Sequence, residues 1–128
     1  MYKDQGNLGQ AEECNSKALA INLKLFGENH PDVAIGYNNL GQINKDQGNL
    51  VQAEEYSNKA LAIDLELFGK YSPLVAFDYH DLGGIYKEQG YLEKAKEYIN
   101  KTLAINLKLF GENHPIVTML ANKLKTIL

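Results

Sequence analysis

The sequence repeats itself every 42 residues. Gly6, Gly48 and Gly90 keep that interval, as do Ala11, Ala53 and Ala95, and Phe26, Phe68 and Phe110. The three prolines, Pro31, Pro73 and Pro115, fall once per period. Self-similarity at a fixed interval of about 20–50 residues marks a stack of like units, each too small to bury its apolar face alone. A single irregular core of the kind most enzymes use is therefore disfavoured, although 128 residues would be enough for one.

One period, from Pro31 to Ser72, shows what the unit is. Proline suits the first turn of a helix, where its missing N–H costs nothing. It also pushes the preceding residue, His30, out of helical geometry. Val33, Tyr37, Leu40 and Asn44 then recur at three-to-four spacing, which predicts a helix up to about Gln47. Gly48 ends it, because glycine is free to take the positive φ of a helix stop. A second helix is predicted from about Leu50 to Phe68, with Ala53, Tyr56, Ala60, Ile63 and Leu67 on one stripe. Leu50, Leu61, Leu65 and Phe68 widen that stripe beyond the ~100° of an ordinary surface helix. So wide a face needs cover on two sides. Gly69 closes the unit, and Pro73 starts the next.

Small residues mark the close contacts. Gly41 and Gly83 stand within the first helices, where glycine costs about 1 kcal/mol relative to alanine. That cost is tolerable where a second helix crosses too closely for a side chain, with Ala53, Ala60 and Ala95 as the matching small residues.

Composition excludes several partners. The net charge is −3, and all 13 basic side chains are lysine, so forked arginine recognition of phosphate is absent. No nucleic-acid partner is expected. No run approaches the ~18 uninterrupted apolar residues of a membrane span, and Met-Tyr-Lys-Asp-Gln-Gly lacks the apolar core of a signal peptide. The single cysteine, Cys14, cannot form an internal disulfide, which fits a reducing compartment. A cytoplasmic chain without a membrane partner is the expectation.

Chemistry is sparse. Glu28 with His30, and Glu112 with His114, look like paired ligands, but each pair supplies too few donors for a closed zinc site and the two lie two repeats apart. Helix capping beside proline explains them better than a metal or catalytic centre. No phosphate loop, nucleophile elbow or cysteine–histidine cluster occurs. Glu12-Glu13, Glu54-Glu55 and Glu93 are expected in the first turns of second helices, complementing the helix dipole. No catalytic residue, metal or cofactor is expected, and the chain reads as a non-enzyme.

Tyr37, Leu40-Gly41, Gly48, Ala53 and Ala60-Leu61 are the residues by which the sequence resembles the tetratricopeptide repeat family. The 42-residue period, the Ala-Leu-Ala-Ile run, the Phe-Gly-Glu-Asn-His-Pro link and the Asn-Asn-Leu-Gly run are similar to its kinesin-light-chain-type variant. HEAT-like repeats share the period without explaining the glycine and alanine positions. The resemblance implies an all-α, right-handed superhelical α-solenoid of antiparallel helical hairpins. It divides the chain into a partial first repeat over 1–27, full hairpins over 31–69 and 73–111, and a C-terminal capping helix over 115–128. Two features depart from the family pattern. Asn15, Ser57 and Ile99 replace its late aromatic, with Cys14, Tyr56 and Tyr98 one residue earlier, so aromatic packing is expected to shift. The middle link reads Lys70-Tyr71-Ser72-Pro73.

The resemblance also implies that first helices line a concave groove, whose side chains would be Ile35, Asn38, Asn39, Gln42 and Lys45, then Phe77, His80, Asp81 and Lys87, then Met119 and Asn122. Ile35, Phe77 and Met119 share one repeat position and would form an apolar stripe. Asparagine carboxamides could pair with the main chain of an extended peptide, and lysines at each repeat (Lys3, Lys45, Lys87) would favour an acidic one. The expected function is a protein-interaction module that holds a partner's peptide segment in this groove. The alternative is homo-oligomerisation through the N-terminal edge. Residues 1–5 are read there as only the tail of a first helix, leaving the helix from about Leu8 to Phe26 without its partner. Lys125, where Gly41 and Gly83 stand elsewhere, suits a cap at the other end.

Overall fold

The computed structural model describes residues 5–127. Among them are six α-helices in chain order: α1 (Gln5–Phe26), α2 (Pro31–Asp46), α3 (Leu50–Phe68), α4 (Pro73–Glu88), α5 (Leu92–Phe110) and α6 (Pro115–Ile127). The chain divides into two compact units, Met1–Leu67 and Phe68–Leu128.

In the first unit, α2 packs on α1 and α3. Its core is Leu19 of α1, Val33, Ala34 and Leu40 of α2, and Ile63 of α3, flanked by Leu23, Tyr37 and Tyr56. In the second unit, α5 packs on both α4 and α6. Ile99 and Leu120 meet there beside Leu103, Ile116 and Leu124, and Val75, Leu82, Ile85 and Ala95 are buried completely.

The turn inside each hairpin is the same bond for bond. Gly48, at φ +85°, donates to Lys45 O, and Asn49 donates to Asn44 O. Gly90, also at +85°, donates to Lys87 O, and Tyr91 donates to Tyr86 O. This pair of bonds satisfies the last carbonyls of the first helix, and only glycine adopts the required φ without strain. The mid-helix glycines act differently, by allowing contact. A Cβ on Gly41 would lie 3.0 Å from Ser57 Oγ, and one on Gly83 would lie 3.1 Å from Ile99 Cγ1.

The links between hairpins are capped as the proline spacing suggests. His30 Nδ1 accepts from the Asp32 amide at 3.1 Å, and His114 Nδ1 accepts from the Ile116 amide at 3.2 Å. In the divergent middle link Ser72 Oγ does the same work, accepting from Leu74 at 3.1 Å. Aromatic rings pair within each unit: Tyr56 stacks on Tyr37 at 6.1 Å, and Tyr98 meets Tyr79 and Tyr86 at 5.8 and 5.1 Å.

Two expectations are corrected. No turn forms at Gly6: α1 runs through it from Gln5. Second, the acidic pairs do not all sit in first turns. α3 starts at Leu50, which puts Glu54-Glu55 in its second turn, and of these residues only Glu93 lies in a first turn. Glu12 instead ties two helices together, accepting from Asn44 Nδ2 at 3.3 Å and Gln47 Nε2 at 3.5 Å. Lys3 and the tail before Gln5 lie outside the described residues.

Candidate functional site

The second unit holds an apolar pocket of about 290 Å³. Pro73, Ala76, Phe77 and His80 of α4 form one wall, and Ile116, Met119 and Leu120 of α6 form the other. Thr102, Asn106 and Phe110 of α5 lie between them. The helical repeat explains why. Phe77 and His80 are three apart and follow Pro73, so they share one face of α4. The 42-residue period places Met119 at the same position of α6 that Phe77 occupies on α4.

The pocket is apolar because its polar members bond elsewhere. Thr102 Oγ1 is 3.0 Å from Tyr98 O and 3.4 Å from Ala76 O, the second contact joining α5 to α4. Asn106 Nδ2 donates to Thr102 O at 2.9 Å. Large side chains remain open to solvent at its mouth, with Phe77 56% and Met119 51% exposed. Lys123 Nζ lies 2.9 Å from His80 Nε2. An ammonium has only donors to offer, so a lysine at this distance pairs with the ring nitrogen as acceptor. A cation thus stands beside an apolar hollow. The volume falls just below that of ordinary small-molecule pockets, which suits one or two side chains of a larger ligand.

Of the residues singled out from sequence, the structure brings together Phe77, His80 and Met119 in this pocket. Asp81 and Lys87 lie further along α4, and Asn122 is exposed on α6. Ile35, Asn38, Asn39, Gln42 and Lys45 lie on α2, in the first unit. Ile35 is 55% exposed, Asn39 is exposed and Asn38 half-buried. Gln42 Nε2 donates to Asp46 Oδ1 at 3.1 Å. Lys45 and Lys87 occupy the last turns of α2 and α4, where a cation complements the helix dipole.

Sequence reasoning missed Thr102, Asn106 and Phe110. A groove drawn from first helices alone leaves out the second helix between them. The signal available was Phe110 itself, one of three phenylalanines kept at the 42-residue interval. Glu28 lines a separate shallow hollow with Asn29, Tyr37, Lys59 and Glu66. Among the described residues no three His, Cys, Asp or Glu side chains cluster as metal ligands would. No helix among them is long and apolar enough to cross a membrane.

The sequence model of the tetratricopeptide repeat family matches residues 1–66 and, in a second register, 32–108. No curated protein matches the sequence. Among solved structures, the chain is similar to a Podosopora anserina kinesin light chain of nearly identical TPR-like repeats. The identity is 22% and the TM-score 0.83, over 95% of this chain and 58% of that one. It is also similar to BtubC (BKLC) from P. vanneervenii, with 26% identity and a TM-score of 0.82, over 96% of this chain and 48% of that one. The chain spans about half the length of the structures it matches.

Proposed function

The chain belongs to the tetratricopeptide repeat family, and on that premise we propose that it holds a peptide segment of a partner protein against the α4–α6 face. Repeats of this family mediate protein–protein interaction. The observation that supports this particular surface is the pocket between Phe77 and Met119, apolar within and edged by Lys123. An apolar side chain of the peptide fills the pocket, and an acidic neighbour meets the lysine. On α2, Ile35, Asn38, Asn39, Gln42 and Lys45 form the proposed contact surface of the other unit. The chain acts as a rigid scaffold and not as an enzyme. The proposed setting is the cytoplasm, supported by the free, exposed thiol of Cys14, which suits a reducing compartment.

The test is a selection of random displayed peptides on the purified chain, followed by mapping of the bound peptide by amide chemical shifts. Shifts centred on Phe77, His80 and Met119, lost in a Phe77→Asp, Met119→Asp double variant that keeps its helicity, support the assignment. Peptides that bind the double variant equally well overturn it.

A second reading, self-association through α1, has its own support. Ile21 and Leu25 are 57% and 68% exposed on that helix.

A further inference from the structure

The shallow hollow at Glu28 has a counterpart 42 residues on, and the two sites are opposite in charge. In the first unit the hollow measures about 390 Å³. Four of its lining residues, Tyr37, Lys59, Ala62 and Ile63, recur one period later as Tyr79, Lys101, Ala104 and Ile105. The local geometry recurs with them. Lys59 Nζ stands 5.4 Å from the Tyr37 ring centre, and Lys101 Nζ stands 5.2 Å from that of Tyr79. The other three residues change. Glu28, Asn29 and Glu66 occupy the positions that Lys70, Tyr71 and Lys108 hold in the second unit. Two carboxylates are exchanged for two ammoniums, and a small amide for an aromatic ring.

The second set forms a cluster of its own. Lys70 Nζ lies 5.2 Å and Lys108 Nζ 5.4 Å from the centre of the Tyr71 ring, within reach of a cation–π attraction. Tyr71 is 47% exposed, and both lysines are exposed. A tyrosine that fills a pocket on a partner is a common anchor of protein interfaces. A receptor for it lies on the same chain, where Glu28 and Glu66 are exposed beside the hollow and the small Asn29 stands at the ring's position. Lys59 offsets one of those two negative charges, and Glu97, 4.0 Å from Lys101, offsets one positive charge at the other site. The two sites stay opposite in sign. A foreign basic segment would have to supply a ring between two cations, which a second copy already presents.

We propose that the chain binds its own copies, Tyr71 of one entering the Glu28–Glu66 hollow of another with Lys70 and Lys108 against the two carboxylates. This contact uses neither α1 nor the α4–α6 pocket, and it stands apart from both readings above. It joins unlike surfaces, so it closes as a reciprocal pair or runs on as a chain. Exposed ion pairs contribute little each, so the association is weak and is strongest at low salt.

Sedimentation equilibrium at about 1 mM chain, the range of weak complexes, is the first measurement. In about 0.01 M salt, where charges act over about 30 Å, the mean mass should exceed 14.3 kDa. In about 1 M salt it should fall to that of the monomer. Two charge-reversed chains then identify the surfaces. Glu28→Lys with Glu66→Lys carries cations at both sites, and Lys70→Glu with Lys108→Glu carries carboxylates at both. All four positions are exposed, so both chains should keep native helicity. Each alone should stay monomeric, and an equimolar mixture of the two should associate again. The first variant also moves the net charge from −3 towards zero, so general repulsion would not explain its loss. Tyr71→Ala leaves every charge in place and should weaken association tenfold or more. A native chain that is monomeric at low salt, a reversed or Tyr71→Ala chain that associates as the native does, or a mixture that stays monomeric overturns the proposal. So does a short Lys-Tyr-Lys peptide held at the hollow by a chain that remains monomeric, because the occupant is then a foreign segment.

Discussion

The ring of Phe26, the last residue of α1, lies 4.1 Å from the ring of His30 and is tilted from it by only 13°. His30 is also the cap of α2, so one side chain both ends the link and starts the next helix. Phe110 and His114 repeat the arrangement at 4.7 Å and 27°, whereas the middle link caps α4 with Ser72 and has no histidine.

That difference makes the cap testable. His30→Ala should lower stability by about 1 kcal/mol, the usual worth of an N-cap. His30→Ser restores the acceptor found naturally at Ser72 and should recover most of the loss. Urea unfolding measures both. Equal losses in the two variants would show that stacking, not capping, is what His30 contributes.

The close glycines should respond unequally. Gly83→Ala gains about 1 kcal/mol of helix propensity but drives a Cβ against Ile99, a side chain only 1% exposed. Overpacking costs about 1–3 kcal/mol, so a net loss of about 1 kcal/mol is expected. At Gly41 the nearest atom is the hydroxyl of Ser57, the end of a short side chain that can rotate, so Gly41→Ala should cost less. A more stable Gly83→Ala variant, read by its urea midpoint, contradicts this.

Asn44 and Glu12 should be coupled. Asn44 is buried and spends its amide on Leu40 O at 2.8 Å and on Glu12. Asn44→Ala removes both bonds and should cost about 1–3 kcal/mol. A double-mutant cycle with Glu12→Ala should show coupling of about 0.5 kcal/mol or more, the range for residues in contact. Additive losses would mean that the contact between α1 and the end of α2 contributes nothing.

Function and stability should separate at the pocket mouth. Phe77 and Met119 are half open to solvent, and open positions usually change stability by less than about 0.5 kcal/mol. Phe77→Ala and Met119→Ala should therefore unfold nearly as the native chain does, while losing affinity for a pocket-binding peptide by tenfold or more (about 1.4 kcal/mol). Titration calorimetry beside thermal unfolding decides it.

Most of the fold was legible as punctuation. Pro31, Pro73 and Pro115 start helices because their rings preset φ. Gly48 and Gly90 stop them because of the positive φ they adopt, and the residue before each proline supplies the cap. These effects act within a few residues, so spacing alone carries them. Gly6 shows the limit, since the same residue at the same repeat position lies inside α1 rather than at a helix stop.

The candidate site was legible only in part for a related reason. Phe77, His80 and Met119 are marked by their place in the repeat, but a pocket also needs a floor. Thr102, Asn106 and Phe110 provide it from a helix the pattern assigned to the scaffold.

The sequence by itself determined the helices, their ends and their pairing into hairpins, because those follow from local backbone preferences and a periodic apolar stripe. Only the tertiary structure decided that Glu12 reaches Asn44, that Thr102 reaches Ala76, and that Ile21 stands open while Ile63 and Ile105 are buried. Those outcomes depend on which helices meet. Contacts between residues some 30 positions apart are set by packing, to which identical repeat letters are blind.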